Sequence, residues 1–140
     1  GVVRAVGVCN FNVSHLERVH ADSGELPVIN QVELHPYLQQ KPLREFHLGH
    51  GVVTESWSPL ASGKRVLEDP EIVAIATQHD ATPAQVILAW HRQLGLVVIP
   101  KSVTPARIQE NFDSLGVTLT EAELITIAGL ARGMRTGPDP

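Results

Sequence analysis

Short runs of apolar, mostly β-branched residues recur four times along the chain, and longer stretches of mixed polar and apolar positions separate them. The runs cover residues 2–8, 28–34, 52–56 and 96–99, and turn-forming residues bound each of them. Such runs predict short β-strands. The intervening stretches carry apolar residues at helical spacing, and they predict helices over 13–20, 42–48, 71–79, 84–94, 105–113 and 121–130.

Local signals at the ends of these helices support the prediction. Thr82 is followed three positions later by Gln85, and Thr120 is followed at the same spacing by Glu123. A hydroxyl and a Gln or Glu so spaced form a capping box, in which each side chain bonds the backbone N–H of the other residue. The glycine in segment 24–27 is typical of a helix exit into the next strand.

Alternation of strands and helices predicts a parallel sheet with right-handed crossovers, as in Rossmann-type folds and eight-stranded barrels. The Rossmann fingerprint Gly-x-Gly-x-x-Gly follows none of the predicted strands. Polar residues instead follow every strand, at 9–10, 31–35, 55–58 and 101–102, as they do in barrels. A complete barrel needs about 250 residues. The sequence therefore predicts an α/β fold of the (β/α)8 TIM-barrel type, present as a half-barrel with about four parallel strands and flanking helices.

Composition narrows the classes of function. The chain has 140 residues, 43% hydrophobic and 19% charged, which is typical of one soluble globular domain over 1–140. A net charge of −4 argues against a general nucleic-acid or membrane-surface binder, and no apolar run reaches membrane-spanning length. The single cysteine, Cys9, allows no internal disulfide and fits a reducing cytoplasm. Because the chain opens in a strand-like run without an initiator methionine or signal peptide, we expect a piece of a longer protein.

Residues 97–111 contain the strongest local indication of a ligand. Thr104 offers an N-cap hydroxyl, and Pro105 supplies the fixed φ of a first helical position. Arg107 then lies in the first turn, where the helix dipole disfavours a cation unless an anion is near. With a lysine and a serine just ahead of the helix, this arrangement predicts a bound phosphate. The alternative is a surface Arg107 paired with Glu110 at i,i+3 spacing.

Four motifs together resemble one family, in order and at its spacing. They are Gly-Val-Cys-Asn-Phe at 7–11, Asn-Gln-Val-Glu-Leu-His-Pro-Tyr at 30–37, Trp-Ser-Pro-Leu at 57–60, and segment 99–111. The chain resembles the C-terminal half of an aldo-keto reductase, an NADPH-dependent carbonyl reductase on a (β/α)8 barrel. Bacterial members related to 2,5-diketo-D-gluconate reductases are the most similar. The resemblance covers practically the whole chain as barrel units five to eight, and so implies a single partial domain.

The resemblance implies roles at the nicotinamide end of NADP. Asn10 and Gln31 correspond to the pair that hydrogen-bonds the nicotinamide carboxamide. Cys9 replaces the usual serine beside Asn10, and a thiol is a weaker hydrogen-bond partner. Trp57 takes the place of an aromatic residue that stacks on the nicotinamide ring. Ser58 and Leu60 would line the path of the pyrophosphate.

At the adenosine end, the resemblance implies which phosphate the predicted site would bind. Lys101, Ser102 and Arg107 resemble the residues that hold the 2′-phosphate of NADP, and Val103 belongs to the same cofactor-binding segment. Glu110 and Asn111 resemble the contacts to adenine. The resemblance thus implies NADPH as the cofactor.

The family's proton donor is a tyrosine assisted by lysine, aspartate and histidine, and all four belong to the first half of the barrel. The only tyrosine here, Tyr37, matches no catalytic position. We therefore predict no catalytic residue in this chain. The resemblance implies a parent enzyme that reduces aldehydes and ketones, and a 140-residue chain that is inactive alone.

Two other classes of function stay open. A half-barrel has open sheet edges and an apolar inner face, and it would serve as a binding or assembly module that self-associates. A different phosphate-binding barrel enzyme, such as a sugar-phosphate isomerase, is disfavoured by Asn10, Gln31 and Trp57. We expect no metal site, because the seven histidines form no His-Glu-x-x-His motif and no cysteine cluster accompanies them.

Overall fold

A four-stranded parallel sheet organises the computed structural model, which describes residues 1–63 and 65–140. The strands lie side by side in chain order: β1 Gly7–Cys9, β2 Ile29–Glu33, β3 Val53–Trp57 and β4 Val97–Val98. The helices are α1 Val13–Ser23, α2 Lys41–His50, α3 Pro70–Gln78, α4 Pro83–Gln93, α5 Pro105–Asp113 and α6 Glu121–Ala128. Short 3₁₀ turns cover Ala61–Gly63, Val66–Glu68 and Ser114–Gly116. The predicted α/β fold with about four parallel strands is confirmed.

Three strands are shorter than the sequence predicts, although β2 loses only the two end residues of the run at 28–34. The run at 2–8 forms a strand only at Gly7–Cys9, where each residue aligns with one of β2. Val2 and Val3 ahead of it are exposed, because strand structure depends on a pairing partner and not on apolar side chains alone. The run at 96–99 is reduced to Val97–Val98 for the same reason.

The helix boundaries follow the capping signals closely. Thr82 Oγ1 accepts the backbone N–H of Gln85 at 3.3 Å, and the Gln85 side chain accepts the backbone N–H of Thr82 at 2.9 Å. The Thr120 box forms in the same way with Glu123. Gly24 ends α1 in the left-handed conformation, with φ of 78°, which glycine adopts without strain. Both predicted capping boxes and the predicted helix exit are therefore confirmed.

The hydrophobic core lies on one side of the sheet. Successive strand residues point to opposite faces, so Val32, Thr54 and Ser56 are buried under the helices. The larger cluster joins the end of β2 to α3, α4 and α6, and it includes Leu34, Ile72, Ile87, Trp90 and Ile127. On the opposite face, Val53 and Val97 remain 42% and 41% exposed. One face of the sheet thus carries the packing, and the other is open.

A buried polar network fixes the loop after β1. The Asn30 side chain donates to the Phe11 carbonyl at 2.8 Å and accepts the Phe11 N–H at 3.3 Å. His47 links this amide to β3, with Nε2 3.1 Å from Asn30 Nδ2 and Nδ1 2.8 Å from Thr54 Oγ1. Burial lowers the pKa of His47, which keeps its ring neutral. The backbone around residue 10 is consequently held in one position relative to β2.

Within the described ranges, no helix is long and apolar enough to cross a membrane. Within the same residues, no three His, Cys, Asp or Glu side chains come together as metal ligands.

Glu123 provides a test of how α6 is held. Its carboxylate lies 2.8 Å from His79 Nε2 and also accepts the Thr120 N–H and hydroxyl. Burial raises the pKa of Glu123, but the Thr120 and His79 hydrogen bonds outweigh it, and the pKa falls below its ordinary value of 4.5. Ionised Glu123 therefore stabilises the fold above that pH, and the contribution disappears as the pH falls through the folded pKa.

We predict that Glu123→Gln lowers the free energy of unfolding at pH 7 by less than about 1 kcal/mol, because the pair is partly solvated. Urea unfolding from pH 7 to pH 3 should show this difference vanish in the acidic range. Glu121→Gln, an exposed neutralisation in the same helical turn, serves as the control. A difference that stays constant down to pH 3 contradicts the prediction.

Candidate functional site

Strand register brings the predicted polar residues to one edge and one face of the sheet. Gln31 aligns with Cys9 on one side and with Glu55 on the other, while Glu33 aligns with Trp57. Because side chains alternate along a strand, these residues share the face opposite the helices. The carboxyl ends of parallel strands meet at one edge, where barrel enzymes hold their ligands.

Trp57 and Asn10 are joined across this edge. Asn10 adopts a left-handed backbone with φ of 57°, which asparagine tolerates, and its N–H donates to the Gln31 carbonyl at 2.8 Å. The Trp57 indole N–H donates to Asn10 Oδ1 at 2.7 Å. The bond fixes one end of the indole ring and occupies the amide oxygen. The NH2 group of Asn10 stays available, since no described residue accepts from it.

Gln31 presents the opposite polarity. Its Nε2 donates to Glu55 Oε1, and no described residue donates to its Oε1. The carboxyl end of the sheet therefore offers an amide N–H donor at Asn10 and an amide oxygen acceptor at Gln31. A primary carboxamide has one acceptor oxygen and one NH2 donor, so it complements this pair. Cys9 lies at the same end with an exposed thiol.

The turn after β3 brings Ser58 and Leu60 next to Trp57 in the chain. Ser58 has φ of 50°, and its carbonyl accepts the Ala61 N–H at 2.8 Å, which closes a tight turn. Leu60 is half-buried against the larger hydrophobic cluster. The positions of Ser58 and Leu60 after β3 are thus set by a tight turn and by packing against the hydrophobic cluster.

The predicted phosphate-binding segment lies between β4 and α5. Lys101, Val103 and Arg107 are exposed, while Ser102 is half-buried. The predicted Thr104 cap is wrong: the Thr104 side chain makes no cap hydrogen bond. The Thr104 backbone is extended, with ψ of 117° where the capping residues Thr82 and Thr120 have 156° and 163°, and its hydroxyl bonds no N–H of the first turn of α5. Ser102 Oγ instead accepts the Thr104 N–H at 3.2 Å.

Arg107 is not neutralised by a neighbour. The alternative pairing with Glu110 does not form, since no described carboxylate lies within ion-pair distance of Arg107. Without a side-chain cap, the N–H groups of Ala106 and Arg107 at the start of α5 also point towards solvent or a ligand. A cation and uncapped amides therefore coincide at this helix start, and that combination suits an anion.

Glu110 and Asn111 lie further along α5, where their backbones contact the rest of the fold. The Glu110 carbonyl accepts from Gln85 of α4 at 3.2 Å, and the Asn111 carbonyl accepts from Ser114 at 2.6 Å. Asn111 and Ser102 line one open groove of about 510 Å³ between α4, β4 and α5. The structure thus brings together two members of the predicted adenosine site.

Tyr37, the only tyrosine, points into the protein. Its hydroxyl donates to Asp69 Oδ2 at 2.7 Å, and the Arg132 guanidinium lies 3.9 Å from the ring centroid. Burial, together with Asp69, raises the pKa of Tyr37 to about 12. Asp69 also accepts the Glu71 N–H and so caps α3. The phenol is therefore engaged in joining α3 to the segment around residue 132.

Glu33 and Glu55 also lie on the open face of the sheet beside Gln31 and Trp57, although the sequence did not predict them as site residues. Glu55 contacts Gln31, and the Glu33 carboxylate accepts the backbone N–H groups of Thr136 and Gly137 at 2.5 and 3.1 Å. Burial raises the pKa of Glu33, but the Thr136, Gly137 and His35 hydrogen bonds outweigh it, and the pKa is lowered overall. The available signal was the two-residue alternation from Gln31 to Glu33 and from Glu55 to Trp57.

Known proteins share the sequence pattern and the fold of this chain. A sequence model of the aldo/keto reductase family matches residues 1–132. Methylglyoxal reductase DkgA of Yersinia pestis is 50% identical over 141 aligned positions, which cover 100% of this chain and 51% of that protein. The crystal structure of a Gox0644 mutant in complex with NADPH has a TM-score of 0.94 at 49% identity, and it aligns with 99% of this chain over 51% of its own length.

A more distant structure has the same fold. MGS-M4, an aldo-keto reductase enzyme from a Medee basin deep-sea metagenome library, has a TM-score of 0.94 at 35% identity. The alignment covers 99% of this chain and 53% of MGS-M4. The chain therefore spans about half the length of the relatives and structures it matches.

Proposed function

The chain belongs to the aldo/keto reductase family, and we propose that its strand ends hold NADP(H) within an NADPH-dependent carbonyl reductase. The observation that carries the proposal is the donor and acceptor pair at Asn10 and Gln31, which complements a primary carboxamide. Nicotinamide bears such a group. The NADPH complex of the similar Gox0644 mutant supports the choice of cofactor.

At the nicotinamide end, three residues would act together. Asn10 donates to the carboxamide oxygen, Gln31 accepts from its NH2 group, and the Trp57 ring provides a stacking surface. The hydrogen bond from the Trp57 N–H to Asn10 and the one from Gln31 to Glu55 already orient both amides before the cofactor arrives, so little side-chain freedom is lost on binding. Cys9 replaces a hydroxyl in the family's pattern and contributes little to polar recognition.

At the adenosine end, Lys101, Ser102 and Arg107 form the site for the 2′-phosphate, and Val103 belongs to the same cofactor-binding segment. Two observations support this assignment: no described carboxylate pairs with Arg107, and the N–H groups at the start of α5 have no side-chain cap. Farther along the helix, Glu110 and Asn111 lie where adenine would be recognised. Ser58 and Leu60 connect the two ends along the pyrophosphate.

The reaction would reduce a carbonyl carbon of a small aldehyde or ketone. When bound, NADPH supplies the hydride, and the residues of this chain bind and orient it. The carbonyl oxygen must receive a proton, and in the family this comes from a tyrosine. Tyr37 does not fit that role, since its hydroxyl donates to Asp69 and its pKa is raised to about 12. We therefore assign to this chain cofactor binding without the proton donor.

We predict that the chain binds NADPH in preference to NADH in calorimetric titrations. Arg107→Ala should weaken NADPH binding about 10-fold or more, because a charged hydrogen bond to phosphate is lost, and leave NADH binding unchanged. Arg18→Ala is the matched control, since Arg18 is an exposed arginine of α1 that pairs with Asp22. Equal NADPH affinity in Arg107→Ala and the parent chain would falsify the 2′-phosphate assignment.

We predict no NADPH consumption by the purified 140-residue chain with aldehydes or diketones, measured by loss of cofactor absorbance. The physical reason is that hydride transfer without protonation of the oxygen leaves an alkoxide at high energy. Turnover above the rate without protein overturns this prediction. Parallel assays of Tyr37→Phe would then show whether Tyr37 supplies the proton.

A second function, assembly, is favoured by the open face of the sheet. Val53 and Val97 are 42% and 41% exposed there, and Val2, Val3 and Val6 are exposed at the β1 edge. Exposed apolar surface next to an unpaired strand favours association. We propose that two copies of the 140-residue chain associate through this face.

Sedimentation should then show a species heavier than the monomer, and Val97→Lys should dissociate it by placing a charge in the interface. Val73→Lys is the matched control, because Val73 has the same exposure of 41% but lies on α3. A monomer at every concentration tested, with a native circular dichroism spectrum, contradicts the assembly proposal.

A further inference from the structure

The Glu33 carboxylate fastens a segment that is more than a hundred residues away in the chain. Its Oε1 accepts the Thr136 N–H and hydroxyl, both at 2.5 Å, and its Oε2 accepts the Gly137 N–H at 3.1 Å. His35 Nε2 lies 3.2 Å from the same Oε1. Only 1% of Glu33 is exposed, so these charge-assisted bonds form away from water, where they are strong.

The fastened segment lies against Trp57. A Cβ atom placed on Gly137 would come within 2.6 Å of Cη2 and 3.5 Å of Cζ3 of the indole. These atoms form the end of the ring opposite the indole N–H, which donates to Asn10 at 2.7 Å. The ring is therefore held at both ends, by a hydrogen bond at one and by the Gly137 backbone at the other.

We propose that Glu33 is a positioning residue for Trp57, acting through Thr136 and Gly137. This inference rests on the proposed function, in which Trp57 stacks on the nicotinamide ring. Glu33 and Trp57 are aligned on the neighbouring strands β2 and β3. The Glu33 carboxylate therefore binds residues 136–137 at the position where Gly137 contacts the Trp57 ring. Only a glycine allows this close approach, because a Cβ atom at position 137 would push the Trp57 indole ring away.

A second attachment makes the effect of Glu33 local. The N–H groups of Arg132 and Met134 both donate to the Tyr37 carbonyl, at 3.1 and 3.2 Å. Loss of the Glu33 contacts would therefore release the residues beyond Met134 and leave the earlier ones attached. We expect Glu33→Gln to change the surroundings of Trp57 without unfolding the domain.

Nuclear magnetic resonance of the two indole N–H groups tests this directly in the 140-residue chain. Glu33→Gln and Gly137→Ala should each shift the Trp57 signal and speed its hydrogen exchange roughly twofold or more, because the ring is no longer held at both ends. Trp90, which is 1% exposed in the core, is the internal control. Gly49→Ala is the control substitution, since nothing lies within 4 Å of a Cβ there.

Unchanged Trp57 signals in both variants overturn the positioning role, whatever the chain binds. Cofactor titrations then separate this inference from the proposed function. Glu33→Gln should weaken NADPH and NADH by the same factor, roughly threefold to tenfold, because both cofactors carry the nicotinamide. Arg107→Ala should weaken only NADPH. If the parent chain binds neither cofactor, the proposed function fails; if it binds NADPH and Glu33→Gln binds it equally well, the inference fails.

Discussion

Parallel pairing of β1, β2 and β3 in one fixed register is the constraint on which the site depends. A shift of one residue would turn Gln31 and Trp57 towards the helices and bring Asn30 and Ser56 to the open face. Asn30 opposes such a shift, because its amide makes two hydrogen bonds to the Phe11 backbone and lies beside His47 in the core. The position of Asn10, one residue before Phe11, is thus a consequence of a buried amide on the far face.

The two faces of the sheet divide stability from chemistry. The apolar clusters between the sheet and the helices bury Leu34, Ile87 and Trp90, whereas the open face of the sheet contributes little to packing. Polar groups on that face are therefore tolerated where they find partners, as Gln31 does with Glu55. Glu33 is the extreme case, since a buried carboxylate needs several donors, and residues 136–137 provide them.

Local signals in the sequence predicted most of the frame. Capping boxes and apolar periodicity located the helices, and strand ends located the polar rows, because both depend on neighbours a few residues apart. The sequence did not predict the lack of a cap hydrogen bond from Thr104, or the shortening of β1, which depends on pairing with β2. The contact from Glu33 to Gly137 joins residues 104 positions apart, and no spacing rule reaches that far.

Preorganisation differs between the two ends of the proposed site, and this difference has a consequence for selectivity. Trp57 and Gln31 are fixed by hydrogen bonds and by Gly137 before any ligand binds, whereas Lys101 and Arg107 are exposed. Side chains that are already fixed orient the nicotinamide ring at low entropic cost. A flexible Lys or Arg side chain loses conformational freedom on binding, and only its interaction with an anion offsets that loss. Orientation of the nicotinamide would thus come from the sheet, and discrimination between NADP and NAD from α5. Because the two ends act through different physical terms, substitutions at one should leave the contribution of the other intact.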